Sequence, residues 1–187
     1  TGKSYPEFVQ QEILAPLGMS RSRFADTVLA DGTYARPYTG NDPQPYTSSN
    51  MYATGGLYST APDMAKLLTM LINGGVCGGV RLLAPGSVAA MGQDQTAGTF
   101  NPSPAGWVRF GLGWDTVTQA GLGAVGIRAW QKGGAIDGFY GTMYRACIIV
   151  APDAGLGVVA MMASNDITSD LLLRLCERIM LRALVER

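Results

Sequence analysis

Histidine is absent from the 187 residues. That absence removes every mechanism in which an imidazole takes a proton from serine or cysteine, and every zinc site built on histidine. Hydrolytic chemistry in this chain would have to use lysine, tyrosine or a carboxylate as its base. Lysine itself is scarce, occurring only as Lys3, Lys66 and Lys132. The three cysteines, Cys77, Cys147 and Cys176, are far apart and form no C-x-x-C. Cys147 and Cys176 lie in apolar segments and read as small core residues. No apolar run reaches the roughly 18 residues that a bilayer-spanning helix needs. Fourteen basic and fourteen acidic residues cancel, so no basic face points to nucleic acid. No metal or organic cofactor is implied.

What is present suffices for one domain with a real core. Apolar residues make up 47% of the chain and charged ones 15%, the balance of a folded protein. Ser4-Tyr5-Pro6-Glu7 has the pattern of a capping box, followed by the apolar stripe Phe8, Val9, Ile13 and Leu14 and a stop at Pro16 and Gly18. Thr60-Ala61-Pro62-Asp63 repeats the device, with Met64, Leu67, Leu68, Leu71 and Ile72 at helical spacing and Gly74-Gly75 as the end. Residues 31–50 read as a long ordered loop. Strands are predicted over 110–117, 127–132, 139–150 and 156–163, the last two joined by the turn Pro152-Asp153-Ala154-Gly155. A final helix over 168–186 should bury Leu172, Leu175, Cys176, Ile179 and Ala183. The fold class is α+β, an antiparallel sheet flanked by helices.

Most short motifs dissolve on inspection. Gly121-Leu122-Gly123-Ala124-Val125-Gly126 fits G-x-G-x-x-G, but strand-like residues follow where a phosphate-binding helix is required, so it reads as a hairpin loop. There is no Walker A lysine and no G-x-S-x-G. Thr1 could act through its own amine, yet such nucleophiles usually open a buried strand, whereas Thr1 precedes a capped helix. The stretch Ala129-Trp130-Gln131-Lys132-Gly133-Gly134-Ala135 is harder to dismiss. A bare turn with a solvated lysine would explain it. So would a lysine at a strand end beside backbone amides that small residues leave open to a substrate oxygen.

Four blocks decide between these readings. They are "TGKSYPEFVQQEILAPLGMSRSRF", "ATGGLYSTAPDMAKLLTMLINGG", "FGLGWD" and "KGGAIDGFYGTMYRACIIVAPDAGLGVVAMMAS". In this order they resemble the C-terminal portion of the serine β-lactamases and penicillin-binding proteins. The likeness is greatest to the class C β-lactamases and the related esterases and D-amino-acid peptidases. Lys132 matches the lysine of that family's K-T-G element, and Gly133 stands where threonine is common. Gly134 matches the small position, and Ala135 the residue whose backbone N–H completes an oxyanion hole. The resemblance thus implies Lys132 and Ala135 as catalytic and Gly133 and Gly134 as substrate-binding.

The same resemblance exposes a gap. The family's nucleophile lies in S-x-x-K, but Asp63 stands three residues before Lys66 and Ala129 three before Lys132. Tyr46-Thr47-Ser48 mimics the tyrosine motif only in the variable loop. The expectation is a single C-terminal part of the fold over 1–187, with a helical and loop part over 1–105 and the strands and last helix over 106–187. It lacks the N-terminal strands and the S-x-x-K helix, and it is inactive by itself. Its expected partners are a small-molecule or peptide substrate and either the N-terminal part of the same protein or a second copy, recruited by a bare sheet edge. A periplasmic or other extracytoplasmic location is implied by the resemblance alone. A rival reading is a non-catalytic recognition domain that kept the fold.

Overall fold

The computed structural model describes residues 1–24, 32–44, 51–96, 109–137, 143–164 and 166–186. Helix α1 (Tyr5–Val9) starts at its expected cap. The Glu7 carboxylate reaches back to accept the N–H and O–H of Ser4 at 2.9 and 2.6 Å, satisfying an amide left without a helical partner. The helix continues as a π-turned stretch, Gln10–Leu14, and buries Val9 and Leu14. Short strand β1 (Arg23–Phe24) follows, then a small hairpin of β2 (Tyr38–Thr39) and β3 (Asp42–Pro43) inside the predicted long loop. Helical turn α2 (Tyr52–Gly55) leads to β4 (Leu57–Tyr58), which pairs with β1.

Helix α3 (Ala61–Ile72) is capped by Thr60, whose hydroxyl oxygen accepts from the Asp63 N–H at 3.4 Å. Asp63 does not return to Thr60 as a glutamate in a full capping box would, being one methylene shorter. Its carboxylate, 3% exposed, crosses to the segment after α1. It accepts from the Arg21 N–H at 2.8 Å, the Ser22 hydroxyl at 2.9 Å and Lys66 Nζ at 3.1 Å. Burial alone would raise this carboxyl. The hydrogen bonds from Lys66, Ser22 and the Arg21 amide, with the Lys66 charge, outweigh burial and hold it below the usual carboxylate range. The hairpin of β5 (Val76–Cys77) and β6 (Val80–Arg81) and helix α4 (Pro85–Met91) complete this layer.

The sheet comes last. Strand β8 (Met143–Ala151) lies between β7 (Trp130–Asp137) and β9 (Leu156–Met162), antiparallel to both. The expected turn joins β8 to β9 through Pro152–Ala154, and Gly155 adopts φ 63°, a conformation costly for any residue with a Cβ. Alternation along β8 divides the core. Ile148 and Val150 face α3, while Cys147, Ile149 and Ala151 face helix α6 (Ser169–Val185). The sheet is therefore sandwiched between helices, as the α+β reading requires. Cys147 and Cys176 are buried in the same cluster, with Cys176 Sγ 3.9 Å from the Cys147 carbonyl oxygen.

Four expectations need correction. Residues 110–117 are not a strand, because the chain folds back at Gly113 (φ 81°) so that Gly111 bridges Trp114, and only Thr116 then bridges Gln131. Residues 121–126 are not a hairpin loop. Helical turn α5 (Ala120–Gly123) forms there, capped by the Gln119 side chain, with Leu122 fully buried. Strand β7 does not end at the glycines but runs on to Asp137, each residue paired with β8. The buried face of α6 is Leu172, Cys176 and Met180, whereas Leu175 and Ile179 are exposed. That helix is apolar over so wide an arc that its sequence offers two faces, and the sheet selects one.

The Asp63 network is directly testable. Asp63→Asn should lose about 1.5–3 kcal/mol of stability in urea titrations, since charge-assisted bonds to a buried group are lost. The folded carboxyl titrates lower than the unfolded one. Its contribution is therefore full above about pH 4 and fades as pH falls through the folded value. The gap between wild type and variant should narrow below about pH 4. A constant gap down to pH 3 would contradict this account.

Candidate active site

Trp130 and Lys132 share the α3 face of β7, as strand alternation requires. Trp130 is 2% exposed and contacts Trp114 with ring centroids 5.5 Å apart. It seats the strand against the helical layer. Lys132, two residues on, emerges beyond that packing and is half exposed. Its ammonium donates to Asp115 Oδ1 at 2.8 Å and to the Gly133 carbonyl at 2.9 Å.

The edge of β7 away from β8 is the chemically informative feature. Gln131 donates its N–H to the Thr116 carbonyl at 2.9 Å and accepts from the Asp115 N–H at 2.9 Å. Gly133 donates its N–H to Asp115 Oδ2 at 2.7 Å. In an antiparallel pair, residues two apart turn their backbone groups to the same side. The N–H of Ala135 therefore points to this edge too, and Ala135 is exposed. A lysine and an outward amide thus stand three residues, roughly 10 Å, apart along the strand, on backbone carrying almost no side-chain bulk.

Beside them lies a cleft of about 1000 Å³ between the sheet and the segments around α1, α2 and β4. Lys132, Ile136, Tyr144 and Ile148 form its sheet wall, and Tyr5, Phe24, Tyr52 and Tyr58 the opposite one. Edge-to-face contacts join Tyr5 to Phe24 and Phe24 to Tyr52, each at 5.7 Å. Tyr58 meets Tyr144 at 5.8 Å, tying the two walls together. The volume is at the upper end for a small-molecule site, and the lining is mainly apolar and aromatic.

All four residues singled out in the sequence, Lys132, Gly133, Gly134 and Ala135, lie on this one strand and line this cleft. Tyr46-Thr47-Ser48 lies outside the described residues. Among the described residues no group of His, Cys, Asp and Glu could hold a metal ion. Sequence reasoning missed Asp115 and the tyrosines of the cleft walls. The signal available for Asp115 was its position at the end of "FGLGWD", directly after a tryptophan that anchors the segment to β7. As a half-exposed ion pair, Asp115–Lys132 contributes only about 0–1 kcal/mol to stability.

The Beta-lactamase family model matches residues 1–174, and the chain belongs to the beta-lactamase family. Protein Rv1367c of Mycobacterium tuberculosis is 28% identical over 194 residues, covering 85% of this chain and 47% of that protein. The beta-lactamase from Sulfitobacter sp. EE-36 superposes with a TM-score of 0.71 at 17% identity, over 100% of this chain and 55% of that one. The class C beta lactamase from Rhodobacter sphaeroides does so at 0.67 and 18% identity, over 100% and 56%. These likenesses carry the fold, and the chain spans about half the length of these three proteins. It is a partial beta-lactamase fold.

The anchor beneath Lys132 depends on Gly92, where an added Cβ would lie 1.9 Å from Trp130 Cζ2. Gly92→Ala should therefore cost about 1–3 kcal/mol through overpacking and change the environment of the Trp130 indole. Urea titration followed by tryptophan fluorescence reads both. A variant as stable as wild type would mean that the indole does not fix β7.

Proposed function

We propose that this chain forms the third-motif wall of a serine hydrolase that cleaves β-lactam, ester or D-amino-acid amide bonds through an acyl-serine intermediate. The observation that carries this reading is the outer edge of β7, where Lys132 and the outward Ala135 amide border the cleft. A serine oxygen attacks the substrate carbonyl, and its proton passes to a base. The carbonyl oxygen becomes an oxyanion that accepts from the Ala135 N–H and a second amide. Collapse expels the leaving group with a proton, and water then releases the acyl group. The Lys132 charge favours the anionic form of a neighbouring phenol or substrate group.

The nucleophile lies in an S-x-x-K element outside these 187 residues, which contain none, whether in the N-terminal part of the same protein or in a separate complementary polypeptide. Two surfaces support that reading. Among the described residues, strand β9 (Leu156–Met162) pairs with β8 on one side, while on the other only the Tyr38–Ser164 bridge meets the chain just past its end. The outer face of α6 presents Leu171, Leu175 and Ile179, each 45–52% exposed, at four-residue spacing. An open strand edge and an apolar helical row are both surfaces that another chain covers.

Two outcomes test this. The purified chain should neither turn over a chromogenic cephalosporin or nitrophenyl ester nor take up a fluorophosphonate label. A labelled serine in the chain alone would refute the division of labour. Combined with a complementary polypeptide that restores hydrolysis, Lys132→Ala should lower kcat/KM about 100-fold, the loss expected for a positioned electrostatic group. Unchanged turnover with unchanged stability would make Lys132 a solvated surface lysine.

A further inference from the structure

We infer that Asp115 sets the charge preference of this site: it commits Lys132 and the Gly133 amide to its own carboxylate, so that the site accepts uncharged esters and amides and disfavours substrates carrying a carboxylate beside the scissile carbonyl. The inference rests on the hydrolase reading above. Its basis is one carboxylate gripping two neighbouring donors, Lys132 Nζ at 2.8 Å and the Gly133 N–H at 2.7 Å. The Asp115 backbone is itself fixed to Gln131 at 2.9 Å, which places its side chain beside the edge of β7. A Cβ on residue 133 would lie 3.5 Å from Asp115 Oδ2, so the carboxylate fills the space into which a side chain there would extend.

The consequence is electrostatic. Lys132 has three N–H donors, and Asp115 and the Gly133 carbonyl occupy two of them. An incoming oxygen on the third donor lies within a few ångströms of the Asp115 carboxylate. An uncharged carbonyl or hydroxyl oxygen feels little from that neighbour. A carboxylate meets a like charge and must either bear the repulsion or displace Asp115 from both donors. The pair is half exposed and adds little stability, so stability alone does not account for its double grip on the strand.

The test has two arms. In the first, amide signals of Gly133 and Ala135 in this chain are followed by NMR during titration with phenylacetate and with phenylacetamide. Asp115→Asn keeps an acceptor for the Gly133 N–H but removes the charge. It should strengthen phenylacetate binding at these amides at least tenfold and leave phenylacetamide unchanged. Asp115→Ser serves as the second neutral variant should asparagine disturb the segment. Wild type binding phenylacetate as tightly as both variants would overturn the inference. In the second arm, the hydrolase assembled with a complementary polypeptide is given a neutral nitrophenyl ester and its carboxylate-bearing counterpart. Asp115→Asn should raise kcat/KM for the charged ester about tenfold relative to kcat/KM for the neutral one. An unchanged ratio would again overturn it. Failure of the assembled wild type to hydrolyse either ester would refute the hydrolase reading, and the first arm would still decide the role of Asp115.

Discussion

Everything of chemical interest depends on β7 staying extended and paired with β8 through two consecutive glycines. Pairing fixes which backbone groups face β8 and which face outward. Because the Gln131 and Gly133 amides turn outward, the Ala135 amide does so too, and Lys132 between them projects over the cleft. Glycine weakens a strand through its entropy and its missing side chain. The strand therefore needs an anchor, and the buried Trp130 supplies it by packing between Gly92 and Trp114. The site is a rigid edge held from beneath.

The layers around that edge are unequal. One face of the sheet is covered by α6 through Leu172, Cys176 and Met180, the other only partly by α3. Where α3 ends, the aromatic-walled cleft begins, so one gap in the packing both exposes Lys132 and leaves room beside it. The open β9 edge and the outer row of α6 lie elsewhere on the same sheet and helix layers.

Two carboxylates illustrate how environment assigns roles. Asp63 is buried and its carboxylate joins three groups across α3 and the segment after α1, so its charge belongs to folding. Asp115 is half exposed and binds a lysine and an amide at the strand edge, where its charge acts on whatever approaches. Both stand beside sequence features that would otherwise be read as structural punctuation.

The sequence alone determined both capped helices, the β8–β9 hairpin and the cluster Lys132-Gly133-Gly134-Ala135, because these follow from local rules: caps, turn residues and alternation. It also excluded histidine chemistry by these 187 residues. Where segments were mistaken, nonlocal contact was the cause. Gly133 and Gly134 look like a turn until β8 is there to pair with them. Gly111 and Gly113 bend a segment whose composition suits a strand. Leu175 and Ile179 look as apolar as Leu172 and Cys176, and only docking on the sheet turns one row inward. The role of Asp115 was invisible for the same reason: its meeting with Lys132 spans seventeen residues and requires the chain to fold back along β7. Local pattern specifies which groups are available, and tertiary packing decides which of them meet, since a pairing partner or a buried face exists only once distant segments are brought together.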